Sequence, residues 1–379
     1  MKYLENRTYI SLGFFVDVED IKTSHKIHNL HTVIIICETE AYIHDYFDIL
    51  YSLLEFTVPR GIKVYYVHSS LDKLSTVDKT FKSLLDTGGL NEICWPTAHI
   101  GPCLTMEQSN LDFSDFLLNV DEISSDSRLF LNCTHRDKFH RYIMNDMLKK
   151  HNLIDDGIIT WGTLSALKIK DVQQYYCKNW YPDLHQPDFY FEYVLPDVRQ
   201  SIQFDSFNSK DTHHGIPIQK RLKGKYFIEI ITESETIYTR FTEKTFKAIF
   251  YQTPFIVLSC RNFHKKLVNL GFELYDEIFD YTFDDLPYTE MPTKAEMICK
   301  NLQTLKDQDY NKLQRIILPK LVRNKKRLFE ILNNKEFFDK TLLNFLKTNT
   351  PSFYDTFIEK DTLENFLLNN FGKTFNIYQ

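Results

Sequence analysis

The chain has 379 residues, enough for two or three domains. Its 43% hydrophobic and 25% charged content is ordinary for a soluble globular protein. With 45 basic against 51 acidic residues the formal net charge is −6, which argues against a general nucleic-acid coat protein and leaves room only for a local basic groove.

The longest wholly apolar run, Val33–Cys37, is strand-sized and far below the ~20 residues needed to cross a bilayer. The opening Met1-Lys2-Tyr3-Leu4-Glu5-Asn6 lacks the charged–apolar–small order of a secretory signal. The expectation is therefore no membrane span and a cytoplasmic location, in a cell or in the host of a virus. Seven cysteines, at 37, 94, 103, 133, 177, 260 and 299, are scattered without a C-x-x-C pair, which fits reduced thiols better than disulfides or a structural zinc site.

Val33-Ile34-Ile35-Ile36-Cys37 reads as a strand buried on both faces. Ala41–Phe56 follows with Tyr42, Tyr46, Ile49, Leu50 and Leu53 at helical spacing. Pro59-Arg60-Gly61 punctuates, Ile62–Val67 returns as a strand, Lys79–Leu85 reads as a helix closed by Gly88-Gly89, and Ile93-Cys94-Trp95 as another strand. This alternation predicts parallel pairing in an open α/β sheet. Asn110–Asp126, rich in Asp, reads as a link between two lobes. A second α/β unit begins at Leu129-Phe130-Leu131-Asn132-Cys133 and continues with a helix over Phe139–His151 and a strand over Gly157–Trp161. Residues 171–222 have weak periodicity and read as a long excursion. Regular patterning resumes with a strand at Tyr226–Ile231, a helix at Glu243–Phe250 and a strand at Pro254–Leu258. A helix at Phe263–Leu270 ended by Gly271, a strand at Phe272–Tyr275 and a mostly helical tail from Lys294 complete the chain.

Chemistry concentrates at Tyr226–Leu258. A loop enters the helix there through Thr242-Glu243-Lys244. A lysine beside a helix start suits a phosphate, because free backbone N–H groups and the positive dipole end favour an anion. A neighbouring carboxylate can accept hydrogen bonds from a ribose. Taken alone, the same tripeptide is an ordinary helix start, with Thr as N-cap and Glu in the first turn.

The order Glu233-Ser234 after a strand, Thr242-Glu243-Lys244 opening a helix, and Pro254-Phe255-Ile256-Val257-Leu258 resembles the donor-binding half of GT-B glycosyltransferases. The nearest likeness is to the α1,3-fucosyltransferases and related fucosyltransferase-like or exostosin-like viral and bacterial proteins. Asn132-Cys133-Thr134-His135-Arg136, leading into His140-Arg141-Tyr142 and on to Gly157, is similar to that family's strand ending in Asn, Arg opening a helix and strand near Gly. The likeness covers about residues 126–300, with a gap over 170–222. It implies two Rossmann-like lobes with a C-terminal helical segment: an acceptor lobe over 1–122, a donor lobe over 123–300 and helices over 301–379. It implies that Arg141 and Lys244 neutralise a nucleotide-sugar diphosphate, with Arg136 assisting. Glu243 and the helix start at Thr242 would meet the ribose, and Glu233 and Ser234 would face the donor sugar or its phosphates. The implied activity is glycosyl transfer to a glycan or other hydroxyl acceptor, inverting, with the nucleotide sugar as co-substrate and no metal or other cofactor; GDP-fucose is the donor the likeness suggests. Two departures stand out. The family commonly shows Glu-Asn-Ser where this chain has Thr232-Glu233-Ser234-Glu235, and the family's matching base is not visible.

An inverting transfer needs a base for the acceptor hydroxyl. Glu38, after the strand ending at Cys37, and His99, in the loop Pro96–Pro102, are the candidates, with His68 at the end of the intervening strand. Each also reads as a structural or surface residue. Arg141 can pair with Asp137, and Glu233 and Glu235 can be solvated loop charges. His213-His214 with Asp211 lacks a full ligand set. Asp17-Val18-Glu19-Asp20 lies too early for the acidic motif of metal-dependent transferases. The basic run Lys320–Arg327 reads as a solvated helix face. A non-catalytic nucleotide- or sugar-binding protein, and a transferase acting on modified viral DNA bases, are the alternative functions.

Overall fold

The computed structural model describes residues 2–12, 16–37, 47–68, 70, 71, 73, 74, 79–94, 113–118, 120, 122–134, 138–161, 222–234, 236, 238–334, 340–355 and 368. By contacts the chain divides into two compact units that are discontinuous in sequence. The first comprises Met1–Ser109, Tyr238–Glu243 and Phe329–Gln379, and the second Asn110–Ile237 and Lys244–Leu328. The expected spans 1–122, 123–300 and 301–379 are instead continuous. Each unit is of the α/β kind and carries a sheet of mainly parallel strands.

The first unit has the sheet order β1-β2-β3-β4-β5, built from β1 (Lys2–Glu5), β2 (Thr8–Leu12), β3 (Thr32–Cys37), β4 (Lys63–His68) and β5 (Leu90–Cys94). β1 and β2 form an antiparallel hairpin; the other pairs are parallel. Asn6 and Arg7 turn the hairpin with φ of 44° and 62°, the left-handed pair that matches strand twist. Alternation along β3 serves two cores. Val33 and Ile35 pack with Ile21 of α1 (Val18–His28), Leu50 and Leu53 of α2 (Phe47–Thr57) and Phe81 of α3 (Lys79–Leu85). Ile34 and Ile36 face the other way and pack, with Ile10 and Val67, against Leu342, Leu346 and Phe353 near the C-terminus.

The second unit has the order β7-β6-β8-β9, all parallel, from β6 (Arg128–Thr134), β7 (Gly157–Trp161), β8 (Tyr226–Thr232) and β9 (Phe255–Leu258). Every residue of β8 and β9 is buried, which is why both read as apolar runs apart from Glu229 and the terminal Thr232 of β8. α4 (Phe139–Lys150) follows β6, α5 (Glu243–Phe250) follows β8, and α6 (Phe263–Asn269) follows β9. Then come α7 (Met291–Leu305), α8 (Tyr310–Asn334) and α9 (Lys340–Asn349). α8 has residues in both units, passing from one to the other between Leu328 and Phe329. Among the described residues no helix is long and apolar enough to cross a membrane.

Most predicted elements appear within a residue or two, and four readings need correction. The hairpin β1–β2 and α1 were not predicted. Asp17-Val18-Glu19-Asp20 is the start of α1: Asp17 Oδ1 accepts the Asp20 N–H at 3.1 Å as N-cap, and Asp20 accepts the Tyr9 hydroxyl at 2.5 Å. Phe272–Tyr275 is not a strand. Its backbone is taken by the buried Asn324 of α8, whose Oδ1 accepts Glu273 N–H at 2.7 Å while Nδ2 donates to Glu273 O at 2.9 Å. The side-chain amide of Asn324 thus does the work of a neighbouring strand.

The basic run on α8 is not a solvated face. Lys320 donates to Leu274 O and pairs with Asp276 and Glu277, and Arg323 is forked onto Glu273. Lys325 is buried and donates to Asp115 O and Leu117 O, and Arg327 donates to Leu270 O. Cys94, Cys133, Cys260 and Cys299 are free thiols. The predicted helix start over 41–46 and the excursion over 171–221 lie outside the described residues.

Asn324→Ala should lower unfolding free energy by about 2 kcal/mol, since it strands a buried N–H and C=O together. Urea denaturation checks this; a loss below about 0.5 kcal/mol would mean Glu273 finds other partners.

Candidate functional site

The second sheet reverses direction between β6 and β8. From β6 the chain goes through α4 to β7 on one side and later returns to β8 on the other. Ligands of open α/β sheets gather beyond the carboxyl ends of strands at such a switch point. β6 ends there at Thr134 and β8 at Thr232.

Strand β8 leaves the sheet through Thr232-Glu233-Ser234, and the carbonyls of these residues need partners because the segment is buried. The start of α4 supplies them one by one. Arg141 Nη2 donates to Thr232 O at 3.3 Å, His140 Nε2 donates to Glu233 O at 2.6 Å, and Lys138 Nζ donates to Ser234 O at 2.7 Å. All three donor side chains belong to residues no more than 5% exposed. α4 is itself fixed to the strand by Asn132 of β6, whose Nδ2 donates to Asn145 Oδ1 at 2.9 Å between two wholly buried residues.

From the other side α5 contributes Lys244 and Thr245. Lys244 Nζ donates to Ser234 Oγ at 3.1 Å and stays partly exposed. Thr245 Oγ1 donates to Glu233 Oε1 at 2.6 Å, and the Ser234 N–H reaches Glu233 Oε2 at 3.3 Å. The Glu233 carboxylate is therefore turned inward and holds the loop to α5. Three cationic groups surround one imidazole. Burial drives the His140 imidazole well below its ordinary value of 6.5, the charges of Arg141, Lys138 and Lys244 push the same way, and the hydrogen bond to Glu233 O opposes them. His140 is thus a neutral donor at pH 7, fixed as the Nε2–H tautomer by the carbonyl it faces. An electropositive, partly open corner beside a parallel-sheet switch point can hold an anion.

Of the predicted residues, Arg141, Glu233, Ser234 and Lys244 meet here, on one three-residue segment. Thr242 is buried and lies in the stretch Tyr238–Glu243, which groups with the first unit. Glu38, His99, Arg136 and the side chain of Glu243 lie outside the described residues, as do His213 and His214. Lys138, His140 and Thr245 were missed. They are immediate neighbours of predicted residues, but nothing in their spacing marks them, because their partners are main-chain carbonyls and a carboxylate far away in sequence.

His68, at the end of β4 in the first unit, is buried and engaged at both ring nitrogens. Nδ1 accepts the Ser70 N–H at 3.2 Å, and Nε2 lies 3.1 Å from Glu92 Oε1 and 3.9 Å from Cys94 Sγ. Glu92 also accepts the Leu74 N–H. Burial lowers the His68 imidazole below its ordinary value, against the opposing pull of Glu92.

Comparison with protein-family models, curated proteins and solved structures gives no match to this chain. The site's chemistry therefore rests on its own geometry.

A pH dependence follows from His140. With its folded-state value depressed, the unfolded chain binds the extra proton first, so stability is complete above about pH 6.5 and declines as pH falls below it, by up to about 1.4 kcal/mol per pH unit. His140→Gln keeps an Nε2 donor for Glu233 O. It should flatten the fall in melting temperature between about pH 7 and pH 5; an unchanged profile would assign that fall to other groups.

Proposed function

We propose that the second unit binds the diphosphate of a nucleotide sugar and that the protein is a glycosyltransferase, moving the sugar to a hydroxyl acceptor with inversion. In this reading the two parallel-sheet units are lobes of a GT-B type enzyme. The observation that carries it is the meeting of Arg141 and Lys244 on residues 232–234, with Lys138 beside them, at the carboxyl ends of β6 and β8.

As the glycosidic bond to the diphosphate breaks, negative charge builds on the leaving group. Fixed cations in a low-dielectric corner stabilise that charge without reorganising. Lys244, partly exposed and at the start of α5, is the group best disposed to reach a phosphate, with the helix amides adding their dipole. Arg141 and Lys138 are more deeply set; they hold the loop and contribute field. Ser234 Oγ, already bonded to Lys244, is a hydroxyl at the same corner. Transfer by these fixed charges needs no metal at the diphosphate. A non-catalytic nucleotide-binding protein is the second reading. It is favoured by the inward commitment of the Glu233 carboxylate to Thr245, which leaves that acid no role against the sugar.

A thermal-shift panel of GDP, UDP, ADP and their sugars tests the binding step. One nucleoside diphosphate should raise the melting temperature, since a ligand selective for the folded state stabilises it. Lys244→Ala should weaken that ligand at least about tenfold in calorimetry, the worth of one charge-assisted hydrogen bond. Glu243→Ala should weaken the nucleoside diphosphate more than inorganic pyrophosphate. The reading fails if no member of the panel binds, or if Lys244→Ala binds as tightly as the unaltered protein. Turnover of a bound donor separates the enzyme from the binding protein.

A further inference from the structure

We propose that His68, Glu92 and Cys94 form a binding site for a divalent ion of the zinc class in the first unit, with one coordination position left for water. The three residues come from the carboxyl ends of two hydrogen-bonded parallel strands. His68 and Cys94 are register partners across β4 and β5, and Glu92 lies two residues before Cys94. All three side chains therefore project from the same face of the sheet. Their ligand atoms all lie within 4.8 Å of one another.

Bond lengths of about 2.0–2.1 Å to nitrogen, 2.0–2.2 Å to oxygen and 2.3 Å to sulfur place tetrahedral ligand atoms roughly 3.3–3.6 Å apart. The observed separations are 3.1 Å from His68 Nε2 to Glu92 Oε1 and 3.9 Å from Nε2 to Cys94 Sγ. Side-chain shifts of a few tenths of an ångström reconcile the two. The donor set of imidazole, carboxylate and thiol suits zinc rather than magnesium or calcium. The side chains of His68 and Glu92 are 6% and 4% exposed, whereas Cys94 is partly exposed and gives an ion its way in.

Without an ion the same groups are joined by protons: Nδ1 accepts from Ser70 N–H, so Nε2 carries the hydrogen that faces Glu92. Binding moves the ring proton from Nε2 to Nδ1, turns the Ser70 amide away, and releases the Cys94 thiol proton to solvent. Three metal–ligand bonds would replace these hydrogen bonds, and the Leu74 N–H contact to Glu92 would adjust with them. Sequence alone hides the site, because Glu92 and Cys94 are too close together and too far from His68 to form a familiar spacing.

Cobalt(II) added to the full chain after dialysis against a chelator tests this, since a Co–thiolate bond absorbs in the near ultraviolet. One ion per chain should bind with that band and be displaced by zinc. Cys94→Ser should abolish the band while the protein stays folded by circular dichroism, and Glu92→Gln should weaken binding at least about tenfold. In the unaltered protein, zinc should also protect Cys94 from alkylation, read by peptide mass spectrometry. His213→Ala/His214→Ala should leave the band in place. The proposal is overturned if no thiolate band forms, if the band survives Cys94→Ser, or if zinc leaves Cys94 alkylation unchanged. Nucleotide binding by the second unit is a separate measurement, and neither result decides the other.

Discussion

A strand that leaves a sheet while still buried exposes carbonyls with nowhere to go, and the second unit resolves this with positive charge. Thr232, Glu233 and Ser234 each hand a carbonyl to one side chain from residues 138–141. Main-chain carbonyls thereby hold two cations and a neutral imidazole out of water, close to the buried Glu233 carboxylate that Thr245 holds. Main-chain dipoles hold these groups in place beside the corner where Lys244 is partly exposed. Removing any one donor takes a hydrogen bond from a buried carbonyl and loosens the loop that positions Ser234 and Glu233. Leaving a buried carbonyl short of its donor typically costs about 1–3 kcal/mol.

The same device recurs through the unit. Lys294, 1% exposed, donates to Ser259 O and Cys260 O just beyond β9. Lys325 donates to Asp115 O and Leu117 O, and Lys320 to Leu274 O. A chain with only 11 glycines has few residues suited to tight left-handed turns. Asn takes several of those positions instead, at residues 6, 29, 152 and 262. Long amine side chains then satisfy the carbonyls that open loops leave behind.

This explains what the amino-acid pattern revealed and what it hid. Strands buried on both faces, such as β3 from Val33 on and β9, are continuous apolar runs and were legible directly. α3, α5 and β7 were legible to the residue, because their periodicity and flanking residues agree. β1 was not, since its residues alternate between exposed and half-buried and carry no strong apolar signal. Phe272–Tyr275 has the composition of a strand, but the partner that prevents it from becoming one, Asn324, lies about fifty residues away. The basic run on α8 looked like a solvated face because nothing local shows that its lysines and arginines have carbonyls and carboxylates to reach. At the candidate site, the residue types at 141, 233, 234 and 244 could be singled out, and the side chains that organise them could not. Donors to main-chain carbonyls leave no mark in sequence, since every residue offers the same acceptor.

The first sheet has a consequence for biosynthesis. One of its apolar faces, formed by Ile10, Ile34, Ile36 and Val67, is covered by Leu342, Leu346 and Phe353. Glu5 accepts hydrogen bonds from Ser352 and Phe353, and Asn6 donates to Asn349 O. These strands therefore cover that face only with residues far downstream of them in the chain. On the ribosome, β1 to β5 emerge before those residues are made, and in the interval the uncovered apolar face is a part of the nascent chain in need of protection.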